Sequence, residues 1–482
     1  MKPRRDRLGG RPNFSLGLLS TGLALVLAGC ASVEPERNLA DVQALTQTRT
    51  AGVAVELRRP DPAHEALVNE WLQQPLSLER AVQIALLNGP AVQQALVTLD
   101  LSDALRAQAG RLSNPSFSVA DLAEGERREL ERTLRFDLVG LIMLPWRSQW
   151  QGRQHELTKL QAAQDIARLA TDVRKAWINA VAAQQSLQYL SDVQEAAEAS
   201  AELARRMVRA GNFSKLQQAR EQTILAEAAA QLTRARHRAL SEREKLTRLM
   251  GLWGLQTQYT LAERLPDLPA QPLAQEQAEA RALRERLDVR AAMTETLWVG
   301  DSLGAVKTAG YLDGISLAYK HTSITNATGE RNEKHGWELE LRLPIFDWGT
   351  ARNARAEAIY LQSAVRLRQV AVQARSEARE AYNAWRTSWD LAQHYRHEVL
   401  PLRRVISDEV LLRYNGMLSS TWDLLGEVRT QRLAVNQALD AQRDFWLADA
   451  DLQLTLTATS PGTLSLWRGA ATPPTINNAG GH

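Results

Sequence analysis

Cysteine is almost absent from this 482-residue chain: Cys30 is the only one. That excludes disulfides within the chain and any cluster of thiolate metal ligands. Long hydrophobic runs are lacking too. The run from Leu16 to Ala28 is broken by Ser20, Thr21 and Gly22, and a spanning helix needs ~20 apolar residues. Nor is there an excess of one charge. The formal charge is +3, and the first 29 residues contribute +4 through Lys2, Arg4, Arg5, Arg7 and Arg11 against Asp6. Subtracting that +4 from +3 leaves −1, so there is no polyanion-binding surplus and nucleic acid is not an expected partner. What the chain does have is a 44% apolar composition, too high for disorder, and length for two or three domains or one elongated one.

A basic segment, a short apolar run and Leu27-Ala28-Gly29-Cys30 read together as a secretory signal over residues 1–29. An uncleaved membrane anchor is the alternative. Leu27-Ala28-Gly29-Cys30 resembles the lipobox of bacterial lipoproteins, which implies a diacylated Cys30 at the mature N-terminus. In such proteins a residue like Ala31, rather than Asp, goes with delivery to the outer membrane. One acyl chain anchors only marginally, whereas several chains or further membrane contacts hold stably. The covalent lipid is the only non-protein group expected; no cofactor is.

Beyond an arm at 30–75, the chain reads as two copies of one unit, 76–264 and 281–460, joined by a Pro-rich linker at 265–280 and followed by a disordered tail at 461–482. In the first copy, Leu78 to Ala109 has helical spacing interrupted at Asn88-Gly89-Pro90. Alternating segments follow at Phe117–Leu122 and Thr133–Leu144, then helical spacing from about Leu160 to Leu249, broken at Ala210-Gly211-Asn212. The second copy has a helix near Arg284–Val299, alternating segments Ile315–His321 and Trp337–Leu343, and helices from Ala351 to about Leu456, broken at Asn415-Gly416. Leu144-Pro145-Trp146 matches Leu343-Pro344-Ile345, Gly110 matches Gly310 and Gly211 matches Gly416. Offsets near 200 residues indicate duplication.

The long helices carry a coiled-coil seam. Ala364, Ala371, Ala378, Trp385, Ala392, Val399 and Ile406 repeat every seventh residue, with Leu367, Ala374, Ala381, Ser388, Tyr395 and Leu402 three residues on. Leu225, Leu232, Ala239 and Leu246 repeat the pattern. Arg375, Glu377, Arg379 and Glu380 on other faces would be costly in lipid, so these helices belong in water. Pro401 should kink its helix. From Gln151 to Ala210 the first helix would run ~90 Å, and Gly211 and Gly416 are the expected reversal points.

The strands are the segments suited to a membrane. Leu134, Phe136, Leu138, Gly140, Ile142 and Leu144 alternate with Thr133, Arg135 and Asp137; Trp337, Leu339, Leu341 and Leu343 alternate with Glu338, Glu340 and Arg342. Ile315, Leu317 and Tyr319 oppose Ser316, Ala318 and Lys320. Apolar outward and polar inward is the pattern of a transmembrane barrel, although a half-buried soluble sheet shares the period. Four strands cannot close a barrel, and bacterial examples begin at ~8. Spanning strands would therefore require several chains to share one barrel. Arg135, Asp137, Glu338, Glu340 and Arg342 would then line its lumen.

The lipobox, the duplicated unit, Leu343-Pro344-Ile345-Phe346-Asp347-Trp348-Gly349 at a strand end and the two hairpin tips resemble, in that order, the TolC family of outer-membrane efflux factors, its lipoprotein branch especially. The likeness runs from about Leu76 to Ser460. It implies a mainly α fold with a small membrane β-barrel: a homotrimer with a 12-strand barrel, continued by a 12-helix periplasmic α-barrel. The expected partners are a periplasmic adaptor, an inner-membrane pump and outer-membrane lipid, and the expected function is passive export of small solutes. In the family the hairpin tips meet the adaptor; here these are Gly211, Asn212, Phe213 and Ser214, and Asn415, Gly416, Met417, Leu418 and Ser419. Acidic side chains after the second turn constrict the family's aperture; Asp423 matches approximately, with Glu427 beside Gly426 where a second acid would stand.

Other classes fit less well. His155-Glu156 and His397-Glu398 open like a zinc-protease motif, but Lys159 and Pro401 replace the second histidine. Gly300-Asp301-Ser302-Leu303-Gly304 spells a nucleophile elbow, yet it follows a helix and precedes a strand, the wrong context. His394, His397 and Glu398 share a helix face as a weak metal pair. No catalytic residue and no metal site is assigned. A periplasmic adaptor or a structural coiled-coil lipoprotein is the alternative, though adaptors carry one hairpin rather than two.

Overall fold

The computed structural model describes residues 32–50, 57, 62–271, 278–309, 315–326, 328–340 and 348–462. The predicted signal, Cys30, Gly310, Arg342 and nearly all of the predicted tail lie outside them. In chain order the helices and strands are α1 (Pro35–Gln47), α2 (Pro62–Trp71), α3 (Leu78–Asn88), α4 (Pro90–Ala109), β1 (Ser116–Glu124), β2 (Arg127–Asp137), α5 (Leu138–Ile142), α6 (Leu144–Arg209), α7 (Lys215–Leu249), α8 (Ala278–Glu285), α9 (Leu287–Ala309), β3 (Ser316–Thr325), β4 (Arg331–Glu340), α10 (Thr350–His394), α11 (Leu400–Asn415) and α12 (Thr421–Thr457). The described residues fall into two units. One lies within Met1–Glu36, Leu99–Thr158 and Glu295–Ser363, the other within Arg37–Thr98, Lys159–Thr294 and Ala364–His482.

The first unit contains a four-stranded antiparallel sheet in the order β1-β2-β3-β4. Its hairpins are short. Glu124 pairs with Arg127 across the two-residue loop Gly125-Glu126, and Gly125 has φ 63°, as a primed hairpin turn requires. The middle pair, β2 with β3, joins the two sequence repeats in a continuous register from Arg128↔Thr325 to Asp137↔Ser316.

Two strands are displaced from their expected segments: β2 begins at Arg127 and not Thr133, β4 begins at Arg331 and not Trp337, and β2 also ends early. The apolar series through Leu138, Gly140, Ile142 and Leu144 is not a strand face: β2 ends at Asp137 and α5 begins. The Asp137 carboxylate caps that helix, accepting from the Gly140 N–H at 2.9 Å. A side chain at Gly140 would meet that carboxylate at 2.3 Å. The long helix that follows starts at Leu144 rather than Leu160, with Pro145 in its first turn, where the missing N–H costs nothing.

The second unit is helical, and alanine sets its packing distance. Ala378, Ala381 and Ala392 of α10 face Ala441 and Ala448 of α12, with Trp385 and Phe445 filling the space between. The Trp385 ring lies 5.8 Å from that of Phe445, and its Nε1–H donates to Asp449 at 3.1 Å. Burial pushes the Asp449 carboxyl up, opposed by the Arg174 charge and the Trp385 bond. The Pro-rich stretch straps the two helices: Pro269 O accepts from Trp389 Nε1 and Pro266 O from Trp446 Nε1, each at 3.1 Å.

The predicted seam holds only part of the way. Ala374, Ala378, Ala381, Trp385, Ser388 and Ala392 are buried, but Leu402 and Ile406 are exposed. Between them Tyr395–Val399 forms a π turn. Pro401 cannot donate and its ring would clash with the carbonyl four residues back; the π turn absorbs this by inserting one residue. The buried face advances by about 100° at that point, so the heptad register does not survive it.

Candidate functional site

Two places carry the predicted functional residues, the sheet and the hairpin tips. On the sheet, register and strand alternation sort side chains by face. One face holds the rows Phe136–Leu317–Leu339 and Phe117–Leu134–Tyr319–Trp337. Phe117, Phe136, Trp337 and Leu339 of these rows are exposed. The opposite face brings together four of the predicted lumen residues. Arg135 and Glu338 share a row with Ser116 and Ala318, and Asp137 and Glu340 share the next with Ser316. Arg135 reaches Glu340 at 2.8 Å, and Lys320 bridges Glu338 at 2.5 Å and Glu131 at 3.5 Å. Arg135, Asp137, Arg147 and Glu340, together with Val139 and Met143, line a cleft of about 690 Å³ at the foot of the sheet. Alternation alone marks Lys320 only as a polar residue of its strand; its cross-strand position makes it the partner of Glu338 and Glu131. The outer edges of β1 and β4 have no strand beside them among the described residues.

At the tips, the two turns are built alike but not where the glycines predict. At the first, Gly211 takes φ 77° and Asn212 N–H donates to Met207 O at 3.0 Å. At the second, Gly416 has φ −81°, and Met417 adopts the left-handed φ of 60°. Leu418 N–H then donates to Arg413 O at 2.8 Å. Both bonds close the six-residue loop that ends many helices. Gly211 thus corresponds to Met417, not Gly416.

Each turn leads into a capping box. Ser214 and Gln217 cap α7, and Ser420 and Asp423 cap α12 reciprocally. Ser420 was missed, although Ser-x-x-Asp before a helical stretch is a legible signal. The Asp423 carboxylate accepts from Ser420 N–H at 2.9 Å, from Ser420 Oγ at 2.8 Å and from Ser419 Oγ at 3.1 Å. These bonds hold its pKa below the usual carboxylate value. Glu427 is half-buried and faces Arg403 at 3.7 Å. Both aperture candidates thus have local partners.

Phe213 is half-buried rather than free. Its ring stacks on Trp422 of the other hairpin, with centroids 4.3 Å apart and planes 18° apart. Met417 and Leu418, at 94% and 82% exposure, are the apolar side chains the tips leave open. Asn415 ends α11 and Ser419 bonds Asp423.

The enzyme-like motifs are occupied structurally. Ser302 lies within α9 and donates to Trp298 O at 2.7 Å. His155 is buried, its Nδ1 3.2 Å from Ser102 Oγ. His394 pairs with Glu398 at 3.1 Å. Among the described residues no group of three or more His, Cys, Asp or Glu is placed to hold a metal ion. No described helix is long and apolar enough to cross a membrane.

No family model and no curated protein matches the chain. Solved structures do. The CmeC outer membrane channel of Campylobacter jejuni aligns at TM-score 0.64 and 14% identity over 80% of this chain and 87% of its own. The outer-membrane channel OprN aligns at 0.62 and 19%, over 86% and 96%. The MtrE outer membrane channel of Neisseria gonorrhoeae, in its open state, aligns at 0.60 and 17%, over 79% and 88%. The chain has the fold of TolC-type outer-membrane channels. At this identity the agreement lies in how the elements are arranged.

Proposed function

We propose that the chain is an outer-membrane exit duct, a homotrimer that passively carries small solutes from a periplasmic adaptor and inner-membrane pump to the exterior. One observation carries this reading: a four-stranded sheet with an apolar face, a charged face and, among the described residues, no strand against either edge. Such a sheet cannot lie in lipid alone, because each unpaired backbone group would cost several kcal/mol there. Three copies joined edge to edge make a closed 12-strand barrel with Arg135, Asp137, Glu338 and Glu340 facing water. The fold shared with the outer membrane channels CmeC and MtrE supports the same reading.

The remaining parts follow from this assembly. Helices α6, α7 and α10 to α12 of three chains form the periplasmic tube. Cys30, acylated, holds the N-terminus to the outer membrane. Met417 and Leu418 present adaptable apolar surface to the adaptor. Three copies of Asp423, with Glu427 behind, give the aperture a negative rim that disfavours anions. Transport energy comes from the pump, and no residue performs catalysis.

The test is biochemical. Outer-membrane fractions should yield a trimer that dissociates on heating in detergent, and planar bilayers should show conductance from it. Release of the full chain as a soluble monomer without conductance would refute the duct and favour a periplasmic spacer.

A further inference from the structure

Three helices of the second unit enclose a cleft of about 350 Å³, within the ~300–1,000 Å³ usual for ligand sites. Each contributes one face at helical spacing. Gln231, Arg234, Ala235 and Arg238 come from α7, and Arg432, Leu433 and Asn436 from α12. Leu190 and Val193 of α6 make part of the wall apolar.

Cations gather in this cleft without acids. Arg234, Arg238 and Arg432 line it, and among the described residues no Asp or Glu does. Asp192, 3.6 Å from Arg432, lies outside the lining. Asp444, whose charge Arg238 feels, is held by Arg443 at 2.6 Å. Arg234 and Arg238 form no ion pair or hydrogen bond among the described residues. Guanidinium groups that converge on one cleft repel one another unless an anion sits among them.

A second observation is independent of charge. The Asn436 amide oxygen is buried and has no hydrogen-bond partner among the described residues. A buried acceptor left unpaired is costly. Because Asn436 lines the same cleft, an occupant carrying a hydroxyl or N–H would satisfy it.

From this convergence we infer that the cleft binds a small anionic amphiphile. Its sulfonate, carboxylate or phosphate is held by Arg234, Arg238 and Arg432, its apolar body lies against Leu190 and Val193, and its donor meets Asn436. Guanidinium suits such anions because its fork bonds two oxygens in parallel. An occupant ties α7 of the first hairpin to α12 of the second. The inference goes beyond the duct reading, which assigns these helices no ligand, and does not depend on it.

Full-length protein in uncharged detergent is titrated with a hydroxynaphthalene sulfonate and, separately, with the uncharged sulfonamide of the same ring, with binding read by native mass spectrometry. An exposed charge pair is worth about threefold, so Arg234 and Arg238 together should give the sulfonate about a tenfold preference. Arg234→Gln with Arg238→Gln should abolish it. Both side chains are exposed, so this double variant keeps the fold. Lysine at both positions should keep part of the preference. Asn436→Leu should remove the advantage of the hydroxylated sulfonate over the same sulfonate without its hydroxyl; an unchanged advantage overturns the part given to Asn436. Equal binding of sulfonate and sulfonamide by the unaltered protein, or an undiminished preference in the double variant, overturns the inference. Heat-dissociation and conductance are read on the same preparations. A conducting trimer without the preference overturns this site alone, and a soluble monomer that shows it overturns the duct alone.

Discussion

Replacing Gly211 by alanine and Gly416 by alanine should have opposite effects, although the two glycines occupy matching places in the sequence repeat. Gly211 holds φ 77°, a conformation that costs an L-residue about 1–2 kcal/mol. Alanine there also restricts the unfolded chain, which returns about 0.4–1 kcal/mol, so the net cost is about 1 kcal/mol. Gly416 sits at φ −81°, open to any residue. A side-chain carbon there would lie 3.5 Å from Leu412 O, an ordinary contact. Alanine at 416 should therefore stabilise by about 0.5 kcal/mol. The difference of about 1.5 kcal/mol corresponds to about tenfold in local opening. Amide exchange reads it directly, at the Asn212 N–H bonded to Met207 O and the Leu418 N–H bonded to Arg413 O. Met417→Gly should slow exchange at Leu418, because glycine relieves the left-handed strain at φ 60°. If Gly416→Ala accelerates exchange as much as Gly211→Ala does, the assignment of the reversal to Met417 is wrong.

The Phe213–Trp422 stack couples the two tips; a double-mutant cycle with alanine at both should give about 0.5–1.5 kcal/mol of coupling, and additive effects would show that each ring only steadies its own turn. Asp423→Ala removes an N-cap partner and should cost about 1 kcal/mol. Because hydrogen bonds lower the folded pKa of Asp423, its stabilisation is fully present above 3.8 and is lost as pH falls through the folded value. Asp423→Asn should therefore flatten the acid limb of exchange at residues 420–424. Val119→Pro and Ala120→Pro between them remove a donor from either side of edge strand β1. Both should abolish the heat-dissociable trimer while far-ultraviolet circular dichroism stays helical, and an intact trimer in both would exclude edge-to-edge closure.

Period-two alternation touched all four strands and put Arg135, Asp137, Glu338 and Glu340 on one face, because strand side chains alternate whatever the strand packs against, but it missed the first halves of β2 and β4, which begin at Arg127 and Arg331. The helical stretches and their breaks at Asn88-Gly89-Pro90 and at the two tips were equally legible, since glycine, proline and apolar spacing act locally. Three features required the folded chain. Whether Leu138 to Leu144 continued a strand depended on the Asp137 carboxylate reaching the Gly140 N–H, a bond that alternation does not encode. The seam beyond Ala392 depended on how the helix absorbed Pro401, and a single π turn moved Leu402 and Ile406 out of it. At the second tip the left-handed residue was Met417 rather than Gly416, because the closing bond from Leu418 to Arg413 fixes which position must reverse. Sequence determined the elements, whose causes lie within a few residues; tertiary structure decided their ends, phase and partners, because those follow from hydrogen bonds and contacts made only when the chain folds back on itself.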